Sequence, residues 1–530
     1  MPRNSPGANS KASVDFEVGV IGAGFGGLTA AVELRRAEQS SFVVFERADR
    51  IGGVWRDNAY PGCACDVRSQ LYSLEARPKP DWSANYAGRR EILDYLDDVV
   101  RRDDLGPHLR LRADIVELKF LEEQGCWRIL DRTGLETRVR IVIVASGPFS
   151  RPRLPDIPGL AEFRGGTFHS SAWDPLADLA GKRVAVIGAG ASAIQVVPNI
   201  APIVGRLSVF QRSPAWVLPR GARKITGLEQ WLFRRVPAFQ RLTREAIYWI
   251  MEGSGLAILG SRSVSWLLTA AARHGINSVR NPKTRRDLTP DYKIGCKRIL
   301  VSDEYYKAFN RPNVELVTAP IAAIGPHSIR TVDRMETPVD AIIFATGFVV
   351  ADPDGLVRIV GRRSRVLADQ WAVEGMQGYL GLHASGYPNL AFLLGPNSGP
   401  PNGSALHVVD SQMRYITQYI AAVTSTPGGA ALDVKPEVQH AYNVDLQRRL
   451  ASTVWNSGCS SWYFDRHGRN AAMFPGLTSQ YRRLTSHLRL DDYDSIALSD
   501  GAVSSGGDRT PSPTATEPGS ERPSTERSIR

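Results

Sequence analysis

The chain carries one local pattern twice. Residues 15–47 and residues 182–213 each contain a short apolar strand, a glycine-rich turn, a helix and a second apolar strand. This order is a βαβ unit, and a glycine turn between its first strand and its helix is typical of a dinucleotide-binding site. The repeat therefore predicts an α/β fold with two Rossmann-like dinucleotide-binding domains.

The first glycine turn, GAGFGG, has the spacing of such a site. Gly22 makes the tight turn, Gly24 lets the backbone approach the pyrophosphate, and Gly27 lets the helix pack against the strand. Glu46 ends the next strand, where a carboxylate can accept hydrogen bonds from both ribose hydroxyls. The flanking strand and helix favour this interpretation over a turn that serves packing alone, so the first unit is suited to FAD or NAD.

The second glycine turn, GAGASA, places Gly188, Gly190 and Ala193 in the corresponding roles. The position that carries Glu46 in the first unit carries Arg212 in the second, followed by Ser213. A guanidinium can bind a 2′-phosphate through two hydrogen bonds, whereas a carboxylate would repel it. The second unit therefore predicts NADP, unless Arg212 is only a solvated surface residue. Two such sites in one chain predict hydride transfer from NADPH to a flavin.

Composition narrows the class of protein. A chain of 530 residues with 43% hydrophobic residues is a globular protein of two to four domains. The net charge of +11 comes from scattered lysines and arginines without a basic run. This argues against nucleic-acid binding and favours attraction of small molecules that carry phosphate.

The cysteines and the N-terminus predict the compartment. Five cysteines are an odd number, and most lie far apart, which argues against a disulfide framework and for a reducing compartment. The first 14 residues lack the apolar core of a signal peptide, so a cytoplasmic location is expected.

Residues 246–271 form the most apolar long stretch. Glu252, Arg262 and three glycines interrupt it, which argues against a membrane-spanning helix. We expect two amphipathic helices of a small helical insertion rather than a membrane-surface patch, and no integral membrane association.

The segment FRGGTFHSSAWD, residues 163–174, has neither helical nor strand periodicity. It contains the pattern FxGxxxHxxxWD, and it lies between the two glycine turns. The five fixed positions are Phe163, Gly165, His169, Trp173 and Asp174. In this pattern and position the chain resembles the flavin-dependent type I Baeyer-Villiger monooxygenases, which belong to the flavin-containing monooxygenase superfamily.

The resemblance extends over roughly residues 15–490. Residues 52–55 and 60–73 resemble the flavin-contacting segments of that family, and FATGF resembles its crossing between domains. The loop at 395–412, which is expected beside the flavin and the substrate, departs from the family in its prolines. The resemblance assigns cofactor binding to Val54, Trp55, Asp66, Tyr72, Lys297 and Trp462.

The resemblance also implies a reaction. An FAD- and NADPH-dependent enzyme of this kind inserts one oxygen atom of O2 next to a ketone carbonyl, through a C4a-peroxyflavin, to give an ester or lactone. Arg298 would be the catalytic cation because it is always protonated. Asp66 would hold its guanidinium, and Lys297 would point towards the 2′-phosphate. Without the resemblance, Lys297 and Arg298 could be a surface basic pair.

The fingerprint histidine has two interpretations. His169 could act as a general acid or base near neutral pH. The resemblance favours an orienting hydrogen bond to cofactor or backbone, on a linker that takes part in domain rotation. Trp173 is then expected to anchor that linker by packing.

Three other functions stay open. The first is a flavin-dependent N- or S-oxidising monooxygenase. The second is an NADPH-dependent flavin disulfide reductase using Cys63 and Cys65, although their C-x-C spacing differs from the usual C-x-x-C. The third is a non-catalytic flavin sensor, which leaves Lys297, Arg298 and Trp462 unexplained. No metal site is predicted, and the oligomeric state is left open.

The predicted organisation follows the motifs. Residues 1–14 form a disordered N-terminus, 15–150 and 346–490 the FAD-binding domain with the C-terminal loop, 151–180 a linker with the fingerprint, 181–220 and 286–345 the NADPH-binding domain, 221–285 the helical insertion, and 498–530 a disordered tail.

Overall fold

The computed structural model describes residues 14–353, 357–425 and 430–497. Apart from Val14, the two segments predicted to be disordered lie outside these residues. The strands are β1 (Phe16–Ile21), β2 (Phe42–Phe45), β3 (Leu109–Arg110), β4 (Ile115–Leu121), β5 (Cys126–Asp131), β6 (Glu136–Val144), β7 (Gly166–His169), β8 (Arg183–Ile187), β9 (Arg206–Phe210), β10 (Val217–Leu218), β11 (Leu300–Val301), β12 (Val314–Val317), β13 (Ile321–Ile324), β14 (Ser328–Thr331), β15 (Glu336–Pro338), β16 (Ala341–Phe344), β17 (Arg358–Val360), β18 (Leu390–Phe392), β19 (Ala430–Val434) and β20 (Tyr493–Ala497).

The helices are α1 (Phe25–Arg36), α2 (Val54–Asp57), α3 (Arg89–Arg102), α4 (Ala193–Ile200), α5 (Gly227–Arg235), α6 (Pro237–Gly255), α7 (Arg262–Ile276), α8 (Pro282–Asp287), α9 (Tyr305–Ala308), α10 (Leu367–Glu374), α11 (Ala405–Ser425), α12 (Pro436–Ala451) and α13 (Thr478–Leu484).

The first sheet contains the first βαβ unit. Its strand order is β17-β4-β5-β6-β1-β2-β3, and β18 also pairs with β6. Strand β1 lies between β2 and β6 and runs parallel to both. The last four residues of β1 and all four of β2 are buried, because inner parallel strands are covered on both faces. The continuous apolar runs in the sequence therefore become the centre of this sheet.

The second sheet contains the second βαβ unit. Its order is β12-β9-β8-β16-β7, and every neighbouring pair in it is parallel. Helices α5 to α8 lie in the chain between β10 and β11 and form a small helical insertion. The predicted fold class, two Rossmann-like domains with a helical insertion, is confirmed.

The fingerprint segment is more regular than its sequence predicts. Residues Gly166–His169 form β7, the edge strand of the second sheet, and pair in parallel with β16. The segment therefore contains a strand, although its sequence lacks strand alternation. An edge strand is ordered by backbone hydrogen bonds to one neighbour, so it forms without alternating side chains.

The cysteine prediction is corrected as well. Cys296 and Cys459 form a disulfide, although 163 residues separate them in the chain, and their Cα atoms lie 6.2 Å apart. Cys63, Cys65 and Cys126 are free thiols. Sequence spacing could not reveal a pair that only the tertiary fold brings together. The cysteine count therefore no longer supports a reducing compartment.

Among the described residues, no helix has the length and apolar character needed to cross a bilayer.

The disulfide predicts a thiol count. Protein purified without reductant and then unfolded should titrate three thiols, and five after reduction, because two of the five cysteines are paired. Replacing both partners (Cys296→Ser with Cys459→Ser) should lower the free energy of unfolding by about 2–4 kcal/mol, measured by denaturant titration.

Cys126→Ser is the matched control, because Cys126 is buried and unpaired. It should remove one thiol from both counts and leave their difference at two. If unreduced wild-type protein titrates five thiols, the disulfide between Cys296 and Cys459 does not form.

Candidate cofactor and active site

The first glycine turn leaves no room for side chains. Gly22 has a φ of +106°, and a Cβ there would lie 2.8 Å from the carbonyl oxygen of Ala145. A Cβ on Gly27 would lie 1.8 Å from the carbonyl oxygen of Gly22. Gly24 is the N-cap of α1, and no side chain caps this helix. The N–H groups of the first helical turn thus lack a side-chain cap from Gly24 and remain available to an anion, which fits a pyrophosphate.

The predicted acid lies beside this turn. Glu46 is buried, and its Oε2 accepts a hydrogen bond from the N–H of Ala23 at 3.0 Å. Its Oε1 accepts from the N–H of Ala48 at 3.0 Å and from Arg56 Nη1 at 2.8 Å. A carboxylate has about four acceptor positions. Three are used here, and the fourth, on Oε2, is available to a ribose hydroxyl. The sequence had not singled out Arg56.

The second glycine turn also lies close to the backbone of a neighbouring segment. Gly188 has a φ of +128°, and a Cβ there would lie 2.2 Å from the carbonyl oxygen of Ala345. A Cβ on Gly190 would meet no atom of a more distant residue within 4 Å, so its backbone faces open space. Ala193 is the first residue of α4, whose N-cap also lacks a side-chain hydrogen bond. The turn therefore presents an open helix N-terminus, as the first one does.

Three predicted residues of the second site meet in space. Lys297 Nζ donates a hydrogen bond to Ser213 Oγ at 2.8 Å. Burial, and then the neighbouring positive charge of Arg212, lower the pKa of Lys297 below its ordinary value. Within the described part of the chain, Arg212 has no hydrogen bond or ion pair. Two close cations without a bound carboxylate fit the 2′-phosphate of NADP.

The predicted catalytic pair is formed. Arg298 Nη2 lies 2.5 Å from Asp66 Oδ2, and these residues are 232 positions apart in the chain. The negative charge of Asp66 raises the pKa of Arg298 above its ordinary value, so the guanidinium stays protonated. The Arg298 side chain is 41% exposed and the Asp66 side chain 28%. The pair therefore joins two distant segments and stays accessible to small molecules.

The predicted flavin-contacting segments pack together. Trp55 lies in α2, which begins at Val54, and its Nε1 donates a hydrogen bond to the hydroxyl of Tyr72 at 3.0 Å. The two rings meet edge to face with centroids 5.6 Å apart. Burial holds the pKa of Tyr72 well above its ordinary value, so this phenol is neutral at physiological pH.

The C-terminal loop reaches the same region. Trp462 meets Phe149 edge to face, with ring centroids 5.7 Å apart. Three residues before Trp462, Cys459 forms the disulfide with Cys296, which lies two residues before Arg298. The loop is therefore covalently linked to the segment that carries Arg298. The sequence had not singled out Phe149 or the disulfide.

His169 is held by three hydrogen bonds to protein, one of which joins its Nδ1 to the hydroxyl of Ser171 at 2.8 Å. Its Nδ1 accepts from the N–H of Ser171 at 3.1 Å, and its Nε2 lies 3.0 Å from the carbonyl oxygen of Gly347, to which it donates. Burial lowers the pKa of His169 below its ordinary value. The imidazole is therefore neutral, and it fixes the FATGF crossing to β7.

The remaining fingerprint residues surround this crossing. Phe163 packs against the apolar cluster beside the second sheet, and Trp173 meets Phe168 edge to face with centroids 4.8 Å apart. Asp174 is exposed, and its Oδ1 accepts a hydrogen bond from the N–H two residues later. Gly165 precedes β7 directly. None of these side chains pairs with Arg298 in the described structure.

Two polar residues missed by the sequence hold the segment before Asp66. Gln195 on α4 accepts from the hydroxyl of Tyr60 at 3.0 Å and donates to the carbonyl oxygen of Ala64 at 2.9 Å. Arg220 Nη2 donates to the carbonyl oxygen of Cys65 at 2.6 Å. Each pair is separated by more than 130 residues in the chain. Local sequence spacing therefore could not predict these contacts.

The two neighbouring cysteines are poorly suited to disulfide exchange. Burial raises the pKa of Cys63 to about 11 and that of Cys65 well above its ordinary value. Thiol–disulfide exchange needs a thiolate, which neither residue offers near neutral pH. This weighs against the disulfide-reductase alternative.

The two dinucleotide turns and the accessible arginine–aspartate pair define a flavoprotein that also binds a pyridine nucleotide. Residues 15–361 match the model of the flavin-binding monooxygenase-like family. A Baeyer-Villiger monooxygenase of Streptomyces coelicolor is 44% identical over 478 residues, which are 90% of this chain and 92% of that protein.

Solved structures agree. Cyclohexanone monooxygenase from Rhodococcus sp. Phi1, bound to NADP+, superposes with a TM-score of 0.81 at 28% identity, covering 91% of this chain and 99% of the other. A complex of OTEMO with FAD and NADP gives a TM-score of 0.80 at 26% identity, covering 91% and 100%. The chain belongs to the flavin-binding monooxygenase-like family, among its Baeyer-Villiger monooxygenases. It is an enzyme that uses FAD and NADPH.

The cation cluster predicts coenzyme preference. Arg212→Glu should raise the KM for NADPH by about tenfold to a hundredfold, because a charge-assisted hydrogen bond contributes about 1.5–3 kcal/mol. The KM for NADH should not rise, since NADH has no 2′-phosphate. Arg311→Glu is the matched control, an exposed arginine of the same sheet region without a partner among the described residues. An equal effect of Arg212→Glu on both coenzymes would contradict the assignment.

His169 predicts a pH dependence of stability. Its folded pKa lies below its ordinary value of 6.5, so the unfolded chain takes up the proton more readily. The stability that neutral His169 contributes is therefore present above pH 6.5 and lost as the pH falls. In thermal melts between pH 7.5 and about 5, the Tm of the wild type should fall more than that of His169→Gln. Parallel curves would refute this role.

Proposed function

We propose that this enzyme inserts one atom of O2 beside the carbonyl group of a ketone, with Arg298 as the catalytic cation. The observation that carries the proposal is the hydrogen bonding of the Arg298 guanidinium. One nitrogen, Nη2, is bound to Asp66, and the other N–H groups have no hydrogen-bond partner among the described residues. A fixed cation with free donors is suited to hold a negative charge that develops on a substrate oxygen.

Bound NADPH supplies a hydride, and bound FAD supplies the reaction with O2. Arg298 keeps its proton at all physiological pH values, because Asp66 raises its pKa. It can therefore hold an anion without changing its own charge. Asp66 accepts one hydrogen bond from the guanidinium and so orients the remaining donors towards the substrate. Asp66 thereby has a positioning role.

The adjacent basic residues divide two tasks. Lys297 contacts Ser213 beside Arg212, where it would bind the 2′-phosphate, whereas Arg298 contacts Asp66 from the first domain. Trp462, on the loop tied to Cys296, would close over the nicotinamide. The glycine turns, Glu46, Trp55 and Tyr72 would hold the FAD. His169 would set the crossing between domains through Gly347, as an orienting group rather than an acid or base.

We also propose the domain limits that the sequence indicates. Strands β1 to β6, β17 and β18 support an FAD-binding domain of residues 15–150 and 346–490, and β8, β9, β12 and β16 support an NADPH-binding domain of residues 181–220 and 286–345. Because β7 pairs with β16, the second half of the linker, 151–180, should move with the NADPH-binding domain.

The substrates in this proposal are a small ketone and O2, and nucleic acid is not a partner because the chain has no basic run. We propose the cytoplasm as the location, since NADPH is regenerated there.

The decisive test is a ketone panel with NADPH and O2, read by mass detection of products one oxygen atom heavier. Wild-type enzyme should form esters or lactones. Arg298→Ala should lose about a hundredfold to a thousandfold in kcat, as expected for removal of one stabilising donor. Arg298→Lys should recover part of this loss, and flavin absorbance should remain unchanged in both.

Asp66→Asn separates charge from position, because it keeps the shape of the side chain and removes the negative charge. We expect an intermediate loss in kcat with an unchanged KM for NADPH. If Arg298→Ala still forms esters at the wild-type rate, the proposed role is wrong. Oxidation of sulfides or amines with no ketone product would favour the N- or S-oxidising alternative.

A further inference from the structure

The helical insertion carries the exposed tryptophans of this protein. The chain has eleven tryptophans, and the exposed ones are Trp231, Trp249 and Trp266. All three lie on α5, α6 and α7. We call the exposed apolar residues of these three helices the insertion face. Its large members are Leu228, Trp231, Phe239, Leu242, Trp249, Ile250, Trp266 and Leu267.

Helix α6 carries apolar residues on two sides, and one of these sides faces outward. Leu242, Trp249 and Ile250 are 68%, 59% and 66% exposed. Their spacing of seven and eight residues places them on one face of the helix. The inward side buries Ile247 in the core, with Tyr248 and Met251 packed against the same cluster, and it also buries Gln240 and Glu252. A surface helix ordinarily carries polar residues on its outer side, so the exposed apolar side of α6 indicates that another apolar phase covers it.

Polar contacts fix this orientation. Arg244 on α6 donates hydrogen bonds to the carbonyl oxygens of Gln70 and Ser73, at 3.1 and 3.2 Å. The Tyr248 ring stacks on His407 of α11, with centroids 4.8 Å apart. These contacts would be lost if α6 rotated to bury Leu242, Trp249 and Ile250. The exposure of the insertion face is therefore built into the fold.

The charges around the insertion face are mainly positive. Arg235, Arg241, Arg262 and Arg273 are exposed and have no ion pair among the described residues. Of the acids on α5 to α7, Glu229 is paired with Arg223 and Glu252 is buried, which leaves Glu245 exposed. The face therefore combines exposed tryptophans with unpaired arginines.

We propose that the insertion face docks the enzyme on the surface of an anionic lipid bilayer. Tryptophan favours the membrane–water interface, and arginine favours anionic headgroups. A second copy of the chain fits less well. In a symmetric dimer the same patch meets itself, which would bring the unpaired arginines of the two copies together. This proposal favours the membrane-surface patch, whereas the sequence alone favours a plain helical insertion.

Vesicle sedimentation of the full-length holoenzyme tests this docking directly. The enzyme should sediment with vesicles of equal parts phosphatidylglycerol and phosphatidylcholine, and less with phosphatidylcholine alone. Added salt should weaken the anionic binding. Tryptophan emission should shift to the blue and be quenched by brominated lipid, because three tryptophans enter the interface.

Two sets of substitutions separate the two contributions. Leu242→Ser, Trp249→Ser and Ile250→Ser together should lower the partition coefficient at least about tenfold, since each removes buried apolar area. Arg241→Gln, Arg262→Gln and Arg273→Gln should each lower it about fivefold on anionic vesicles. The arginine variants should leave binding to phosphatidylcholine unchanged.

The matched control replaces exposed apolar residues elsewhere. Leu135→Ser, Leu176→Ser and Val373→Ser together remove comparable apolar surface outside the insertion and should leave vesicle binding unchanged. Oxidation of NADPH with a water-soluble ketone should be equal in all variants, which shows that they fold. The docking test itself does not depend on the identity of the reaction.

Two outcomes would overturn the proposal. One is wild-type enzyme that stays in the supernatant with anionic vesicles. The other is a dimer, detected by light scattering, that the Leu242, Trp249 and Ile250 substitutions dissociate while vesicles bind neither protein. The second outcome would assign the insertion face to contact between two copies.

Discussion

The ion pair between Arg298 and Asp66 is the interaction on which the arrangement of this enzyme depends. Asp66 belongs to a segment, residues 60–66, that follows the first βαβ unit, and Arg298 belongs to the second dinucleotide domain. Gln195 and Arg220, also from the second domain, hydrogen-bond to the same segment. The site therefore exists only where the two domains meet, and its geometry follows from how they are held together.

The C-terminal loop depends on the same junction. The disulfide between Cys296 and Cys459 ties the loop to the strand region that carries Lys297 and Arg298. A shift of that region would move Arg298 and the loop bearing Trp462 together. Lys297, Arg298 and the loop that bears Trp462 are thus joined through one covalent link.

Much of the fold could be predicted because it is encoded locally. The glycine turns, the apolar strands and the helix that follows each turn are neighbours in the chain, and GAGFGG and GAGASA are read within six residues. Arg212 followed from its position in the repeat. Lys297, Arg298 and Trp462 followed only from the family resemblance, because no local rule joins them to the turns. Gln195 and the disulfide were missed for the same reason.

By itself the sequence determined the two dinucleotide domains and the use of FAD and NADPH, and it predicted two amphipathic helices in the insertion. Only the tertiary structure decided which face of those helices is buried. Periodicity separates an apolar side from a polar side, but packing free energy selects the side that meets the protein. In α6, burial of Ile247 together with hydrogen bonds from Arg244 and Gln240 selects the inward side and leaves a second apolar side facing out.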